Sequence, residues 1–90
     1  MDPLSDAEIT KRLAGLPGWE RDGNQIRRTF EFDDFKSSMT FVNRVAELAE
    51  AADHHPDIDI RYSKVTLTLS THDAGGLTGR DFDLAGQVQT

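Results

Sequence analysis

Cysteine is absent from the 90-residue sequence, which excludes disulfide bonds, thiolate metal ligands and a thiol nucleophile. No apolar run approaches the roughly 20 residues that a membrane-spanning helix needs, and the N-terminal residues lack the basic and apolar regions of a signal peptide. Acidic residues outnumber basic ones by 16 to 10, and the net charge of −6 disfavours binding to nucleic acid phosphates. These absences predict a cytoplasmic protein without membrane or nucleic acid partners.

What is present is the composition of a folded globular chain, with 37% hydrophobic and 29% charged residues. A length of 90 residues predicts a single domain that spans residues 1–90. A domain of this size buries a limited share of its surface, so its stability margin is narrow and oligomerisation would help it.

Capping and turn signals divide the sequence into seven elements. Ser5 and Glu8 have the spacing of a helix capping box. Asp33 or Asp34 and then Thr78 precede two further helical patterns. Apolar and polar residues alternate in four short strands, two on either side of the long central helix. The order α-β-β-α-β-β-α predicts an α+β two-layer sandwich, in which three helices cover one face of a four-stranded antiparallel sheet.

The three histidines of the chain flank the last two strands. If Tyr62 lies opposite Val65, apolar residues face one another along the whole hairpin, which favours this register. Continuing the same ladder places His55 opposite His72, although Pro56 has no N–H and can end the pairing there. The pattern therefore predicts that the histidine segments meet at the open end of the hairpin.

The end of the long helix adds carboxylates to this cluster. Glu50 and His54 are four residues apart and share one helix face if the helix continues through its last turn. A carboxylate at that distance favours the protonated imidazole. Asp53 and Asp73 flank the same end of the molecule. Imidazoles and carboxylates together are suited to proton transfer near neutral pH.

The residue pattern alone leaves three interpretations of the histidines open. They are incidental residues of a surface loop, a three-histidine Zn²⁺ site, or a metal-free acid–base site. The adjacent side chains of His54 and His55 diverge in direction, which makes a shared metal geometrically awkward. Asp81, three residues after Thr78, is predicted to cap the last helix.

Residues 50–56, with the sequence EAADHHP, resemble the signature segment of the pterin-4a-carbinolamine dehydratases. The runs at residues 62–65 and 67–72 and the pair Arg80-Asp81 continue the resemblance, which spans most of the chain. The combination of His-His-Pro with Ser-Thr-His at this spacing is specific, whereas either half alone is weak. The resemblance implies the same α+β sandwich and a homodimer or homotetramer.

The resemblance also implies an activity, the removal of water from 4a-hydroxytetrahydrobiopterin or a related tetrahydropterin to give the quinonoid dihydropterin. No metal or organic cofactor is implied, and the reaction would recycle the pterin that aromatic amino acid hydroxylases oxidise. It implies that His54 and His72 form the acid–base pair, that His55 mainly holds substrate, and that Glu50 tunes His54. The predicted catalytic residues are His54, His55, His72 and Glu50. The predicted substrate-binding residues are Asp53, His54, His55, Ser70, Thr71, His72 and Asp73, with Asp81 and Pro56 as supporting residues.

One position departs from the family pattern. Many members carry an aromatic residue two positions after the proline, where this chain has Ile58. Less aromatic surface would weaken pterin binding or change substrate preference. The alternatives to an enzyme are a protein-binding cofactor or assembly factor of the same fold and a histidine-based metal-binding protein. Retention of all three histidines favours the enzyme.

Overall fold

The computed structural model describes residues 2–88 and confirms the predicted order of helices and strands. The elements are α1 (Asp6–Leu13), β1 (Glu20–Asp22), β2 (Gln25–Glu31), α2 (Phe35–Ala52), β3 (Asp57–Arg61), β4 (Lys64–Leu69), a 3₁₀ turn (His72–Ala74) and α3 (Gly79–Gln87). The strands form one antiparallel sheet in the order β1-β2-β4-β3. Within residues 2–88, no helix combines the length and the apolar character that crossing a bilayer demands.

A single apolar core lies on one face of the sheet, as the alternating pattern predicts. The central strands β2 and β4 contribute the most deeply buried sheet residues, and α2 and α3 cover them. On the opposite face the hydroxyl groups of Thr29 and Thr66 hydrogen-bond at 2.8 Å. The buried core residues are Ile9, Leu16, Trp19, Ile26, Phe30, Phe41, Val42, Val45, Ala49, Val65, Leu67, Leu69, Leu77, Phe82, Leu84, Ala85 and Val88.

Helix α2 begins at an aspartate cap, one of the two alternatives that the sequence offers. The Asp34 side chain accepts a hydrogen bond of 2.7 Å from the Ser37 N–H, one of the helix donors that has no partner within the helix. Hydrogen bonds from Ser37 lower the pKa of the Asp34 carboxyl group below its ordinary value. The charged form of Asp34 is therefore favoured in the folded state.

Replacing Asp34 by alanine should lower the melting temperature near neutral pH, because the Ser37 N–H loses its acceptor. A carboxyl pKa that is depressed in the folded state stabilises the protein above the unfolded value of about 3.9, and this contribution disappears as the pH falls through the folded pKa. The difference in melting temperature should therefore narrow in acid. Asp34→Asn retains an acceptor and should be the milder variant. Equal losses in both variants at every pH would contradict this role.

Helix α2 ends in a Schellman motif. Asp53 adopts the left-handed conformation, with φ of 50°. Its N–H bonds to the Glu50 carbonyl at 3.2 Å, and the His54 N–H bonds to the Ala49 carbonyl at 3.1 Å. The chain turns sharply at Asp53, so His54 does not continue the helix.

The pairing of β3 with β4 is shifted by two residues from the predicted register. Ile60 pairs with Val65, and the two-residue loop begins at Tyr62, which has φ of 52° and is exposed. The predicted pairing of Tyr62 with Val65 is therefore wrong, and so is the placement of His55 opposite His72. A shift of two residues keeps every side chain on the same face, so the apolar pattern could not distinguish the registers.

Candidate functional site

An open depression of about 270 Å³ lies where the end of α2, the end of β4 and the start of α3 meet. It contains all seven side chains predicted to bind substrate, so the fold brings them together in spite of the changed register. Glu50, Pro56 and Asp81 lie outside its walls. The lining residues are Asp53, His54, His55, Ser70, Thr71, His72, Asp73 and Arg80.

His54 is the buried histidine of the site, and it is held by a buried carboxylate. Its Nε2 lies 2.5 Å from Oδ1 of Asp81, whose side chain is fully buried. The other oxygen, Oδ2, accepts hydrogen bonds from the Thr71 hydroxyl at 2.8 Å and from the Thr78 N–H at 3.0 Å. The Asp81 carboxylate thus joins three segments: the turn after α2, the end of β4 and the start of α3.

The direction of each hydrogen bond in this network follows from the number of hydrogens. Thr71 has one hydroxyl hydrogen and gives it to Asp81, so the Thr78 hydroxyl donates across the 2.8 Å contact between the two threonines. Thr78 Oγ1 in turn accepts from the Arg80 N–H at 3.3 Å. An ionised Asp81 only accepts, so His54 Nε2 is the donor. Nδ1 is then the ring nitrogen of His54 that is left for a ligand.

The capping role predicted for Asp81 is confirmed, because Thr78 and Asp81 form a complete capping box at the start of α3. The contact of the same side chain with His54 is a second role that was not predicted from the sequence. The two residues are 27 positions apart, and no local pattern links them. Only the packing of α3 beside the end of α2 brings them into contact.

Glu50 pairs with His55 and not with His54. Oε2 of Glu50 hydrogen-bonds Nε2 of His55. The predicted Glu50–His54 pair is wrong because α2 ends at Ala52 and the left-handed Asp53 turns the chain before His54. The side chains of Glu50 and His55 are both exposed, so their pairing contributes little to stability.

His72 and Arg80 complete the polar walls of the depression. His72 lies exposed in the 3₁₀ turn after β4, and within residues 2–88 its imidazole has no hydrogen-bond partner. Arg80, which the sequence analysis did not assign to the site, donates from Nη2 to the Asp53 carbonyl at 2.7 Å. Its guanidinium is the permanent positive charge of this lining. The only sequence feature that pointed to Arg80 was its place next to Asp81, in the Arg-Asp pair that resembles the family.

The carboxylates and imidazoles are not arranged as a metal centre in the described part of the chain. No group of three or more His, Asp or Glu side chains within residues 2–88 is placed to hold an ion. His54 and His55 each direct Nε2 to a different carboxylate. A zinc ion shared through these nitrogens would require both hydrogen bonds to break.

Ile58, the position that departs from the family pattern, is not part of the lining. It lies half-buried in β3 and packs against the core. Its side chain therefore contributes to the fold of the hairpin beside the site.

Comparison with known proteins identifies relatives along almost the entire chain. Residues 2–90 match the family model of pterin 4 alpha carbinolamine dehydratase. A protein of Roseiflexus castenholzii named "Putative pterin-4-alpha-carbinolamine dehydratase" is 67% identical over 85 residues, which cover 94% of this chain and 91% of the relative. A protein of the same name from Acidobacterium capsulatum is 56% identical over 89 residues, covering 99% and 97%.

Two solved structures share the fold. The crystal structure of a transcriptional coactivator/pterin dehydratase from Brucella melitensis has a TM-score of 0.93 and 34% identity, covering 97% of this chain and 95% of its own. A pterin dehydratase-like protein identified as a RuBisCO assembly factor in the alpha-carboxysome has a TM-score of 0.63 and 21% identity, covering 78% and 81%. The match to the family model and the identity to these relatives show that this chain belongs to the pterin-4-alpha-carbinolamine dehydratase family.

Proposed function

We propose that this protein dehydrates a 4a-hydroxytetrahydropterin, such as 4a-hydroxytetrahydrobiopterin, to the quinonoid dihydropterin. The observation that carries the proposal is the presence of three imidazoles in one open depression, with His54 held by the buried Asp81. Family membership supports the pterin as the substrate class. The proposal includes a cytoplasmic location and a link to an aromatic amino acid hydroxylase, whose oxidised pterin this reaction would return for reduction.

The proposed reaction breaks the C4a–O bond and forms a double bond between C4a and N5. The hydroxyl group takes up a proton and leaves as water, and N5–H gives up its proton. The reaction therefore requires one acid and one base and consumes no oxidant or reductant. Imidazole and imidazolium are both available near neutral pH, and each positioned proton transfer contributes about 10²–10⁴-fold in rate.

In this proposal His54 and His72 are the acid–base pair. Because the Nε2–H of His54 is held by Asp81, His54 exchanges protons with the pterin through Nδ1. Asp81 is a positioning residue that fixes the tautomer and orientation of the ring. His72 is exposed, so it can exchange its proton with water and restore its starting state after each turnover.

The remaining side chains of the site would hold and orient the pterin. Arg80 offers N–H donors to the ring carbonyl, and the carboxylates of Asp53 and Asp73 accept hydrogen bonds from ring and amino N–H groups. His55 holds the substrate, and Glu50 acts through His55 by fixing the direction of its ring. The hydroxyl oxygens of Ser70 and Thr71 can accept hydrogen bonds from the pterin, because their own hydrogens are donated to Asn24 and Asp81. Pro56 stiffens the segment after the histidines.

The decisive experiment is a dehydration assay on protein treated with EDTA. The proposed mechanism predicts loss of the 4a-carbinolamine at least about 10²-fold faster than in buffer alone. A rate equal to the background would exclude the enzyme. Activity that vanished with EDTA and returned with Zn²⁺ would instead assign the site to a metal.

Protein binding is a second candidate function. It is favoured by the Brucella melitensis structure, which is described as both a transcriptional coactivator and a pterin dehydratase. Folded protein that gave only the background rate in the EDTA assay would favour this alternative. For either function we expect a homodimer or homotetramer. Light scattering would measure its mass.

A further inference from the structure

The three histidines of the depression differ in what holds their rings. His54 is held by Asp81, and His55 is held by Glu50. His72 is exposed, and within residues 2–88 its imidazole has no hydrogen-bond partner. The position of this ring therefore depends on the backbone that carries it, which is the loop between the end of β4 and the start of α3.

Hydrogen bonds within this loop fix its shape. Thr71 pairs with Gly76 in an isolated antiparallel bridge, in which the Thr71 N–H donates to the Gly76 carbonyl at 3.1 Å. The Ala74 N–H donates to the Thr71 carbonyl at 3.1 Å. The Gly75 N–H donates to the His72 carbonyl at 3.0 Å. All of these bonds are internal to the loop, so its orientation over the site depends on contacts with other parts of the chain.

The N-terminal segment, residues 2–5, supplies such contacts at the C-terminal end of the loop. The Leu4 N–H donates to the carbonyl of Leu77 at 2.7 Å. Leu77 is buried and Leu4 packs against the same core, so this bond joins two anchored residues. Directly before Leu77, a Cβ atom at Gly76 would lie 3.1 Å from Cβ of Pro3. Only glycine allows the loop and the segment to approach this closely.

Helix α1 holds the N-terminal segment in turn. Ser5 is the N-cap of the helix, and its Oγ accepts a hydrogen bond of 3.2 Å from the Glu8 N–H. One turn later Ile9 is buried in the core. The segment that contacts the loop is therefore continuous with a helix that is packed in place.

We propose that the N-terminal segment positions His72 for proton transfer, through the Leu4 N–H and the contact between Pro3 and Gly76. This inference rests on the proposed dehydratase function. Leu4 lies outside the depression and reaches it through the loop, so it is a positioning residue. Misplacing a reacting group by about 1 Å can lower a rate by about 10²-fold. A small shift of the loop would therefore be felt in kcat.

Leu4→Pro tests the hydrogen bond, because it removes the N–H and keeps an apolar side chain. It should lower kcat by about three- to tenfold, the loss expected for one hydrogen bond. The matched control is Asp6→Pro, which introduces the same residue at the first position of α1. Proline is well accommodated there, so this control should keep the wild-type kcat.

Gly76→Ala tests the same contact from the loop. The added Cβ would lie 3.1 Å from Cβ of Pro3, closer than the optimal carbon–carbon separation of about 3.5–4.0 Å. The loop must shift, so kcat should fall here too. In a His72→Ala background neither Leu4→Pro nor Gly76→Ala should lower the remaining kcat further, because the group that they position is gone. Equal fractional losses with and without His72 would overturn the inference.

Amide hydrogen exchange provides a measurement that needs no substrate. In Leu4→Pro the amides of Ala74 and Gly75 should exchange about three- to tenfold faster, because the loop opens more often. The rates are taken relative to the amide of Val45, which is buried in α2 and reports global unfolding. Unchanged relative rates would overturn the inference.

The outcomes separate this inference from the proposed function. If wild-type protein is no faster than buffer alone, the dehydratase function itself fails. If wild-type protein is active and both Leu4→Pro and Gly76→Ala keep its kcat, the function stands and the positioning role is overturned. Gly76→Ala decides the question if Leu4→Pro fails to fold.

Discussion

Replacing His72 by alanine should lower kcat for pterin dehydration by about 10²–10⁴-fold, the contribution expected from one positioned proton donor or acceptor. His72 is exposed and lies in a 3₁₀ turn, and its imidazole forms no hydrogen bond within residues 2–88. Its removal therefore creates no cavity and no buried unpaired group, so the melting temperature should change little. Stopped-flow kinetics and thermal unfolding on the same preparation would measure both effects.

His55→Ala is the matched control for this variant, because it removes another exposed histidine from the same depression. Its proposed role is to hold substrate, so KM should rise more than kcat falls. Full kcat in His72→Ala would show that His72 does not transfer the proton. Equal changes in kcat and KM in the two variants would show that the division of roles between them is wrong.

Replacing Asp81 by alanine should strongly destabilise and inactivate the protein. The change removes the acceptor of three donors at once, the Nε2–H of His54, the Thr71 hydroxyl and the Thr78 N–H. Each buried donor that loses its acceptor costs about 1–3 kcal/mol of the free energy of unfolding, and three donors lose theirs. That is a large part of the roughly 5–15 kcal/mol available to a small domain. Urea unfolding would measure the loss.

Asp81→Asn separates the two roles of this residue. The amide oxygen can accept from Thr71 and Thr78, so the start of α3 should remain capped and the domain should stay folded. The NH₂ group then faces His54 and favours the tautomer that carries its hydrogen on Nδ1. Such an imidazole cannot accept a proton there, so kcat should fall by about 10²-fold or more. Wild-type kcat in a folded Asn variant would refute the positioning role.

The sequence predicts the elements of this fold better than their pairing. Capping residues such as Asp34 and Thr78 mark helix starts by a local mechanism, and both helices begin there. The hairpin register is a different problem, because two registers of the same parity bury the same side chains. The left-handed backbone at Tyr62 decides between them. The turn contains no Gly or Asn, the residues that usually mark a two-residue hairpin loop in a sequence.

The site shows the same division between local and distant information. The family resemblance and the spacing of the histidines predicted that their segments lie together, and in the structure all three histidines line one depression. The carboxylate partners of His54 and His55 could not be predicted from the sequence. The left-handed turn at Asp53 changes the direction of the chain, so that His55 contacts Glu50 and His54 contacts Asp81. Arg80 was missed because an arginine in the first turn of a helix has the pattern of a solvated residue. Contacts across 27 positions become visible only when the helices are packed.

The shared carboxylate also gives the site a spectroscopic reporter. His54 lies in the turn after α2, and its Nε2–H is donated to an oxygen of Asp81 in α3. Any motion that separates α3 from that turn must break this hydrogen bond and expose the ring hydrogen to solvent. The rate at which this hydrogen exchanges with deuterium, followed by NMR, would therefore measure how often the site comes apart in the native protein. A bound pterin should slow that exchange.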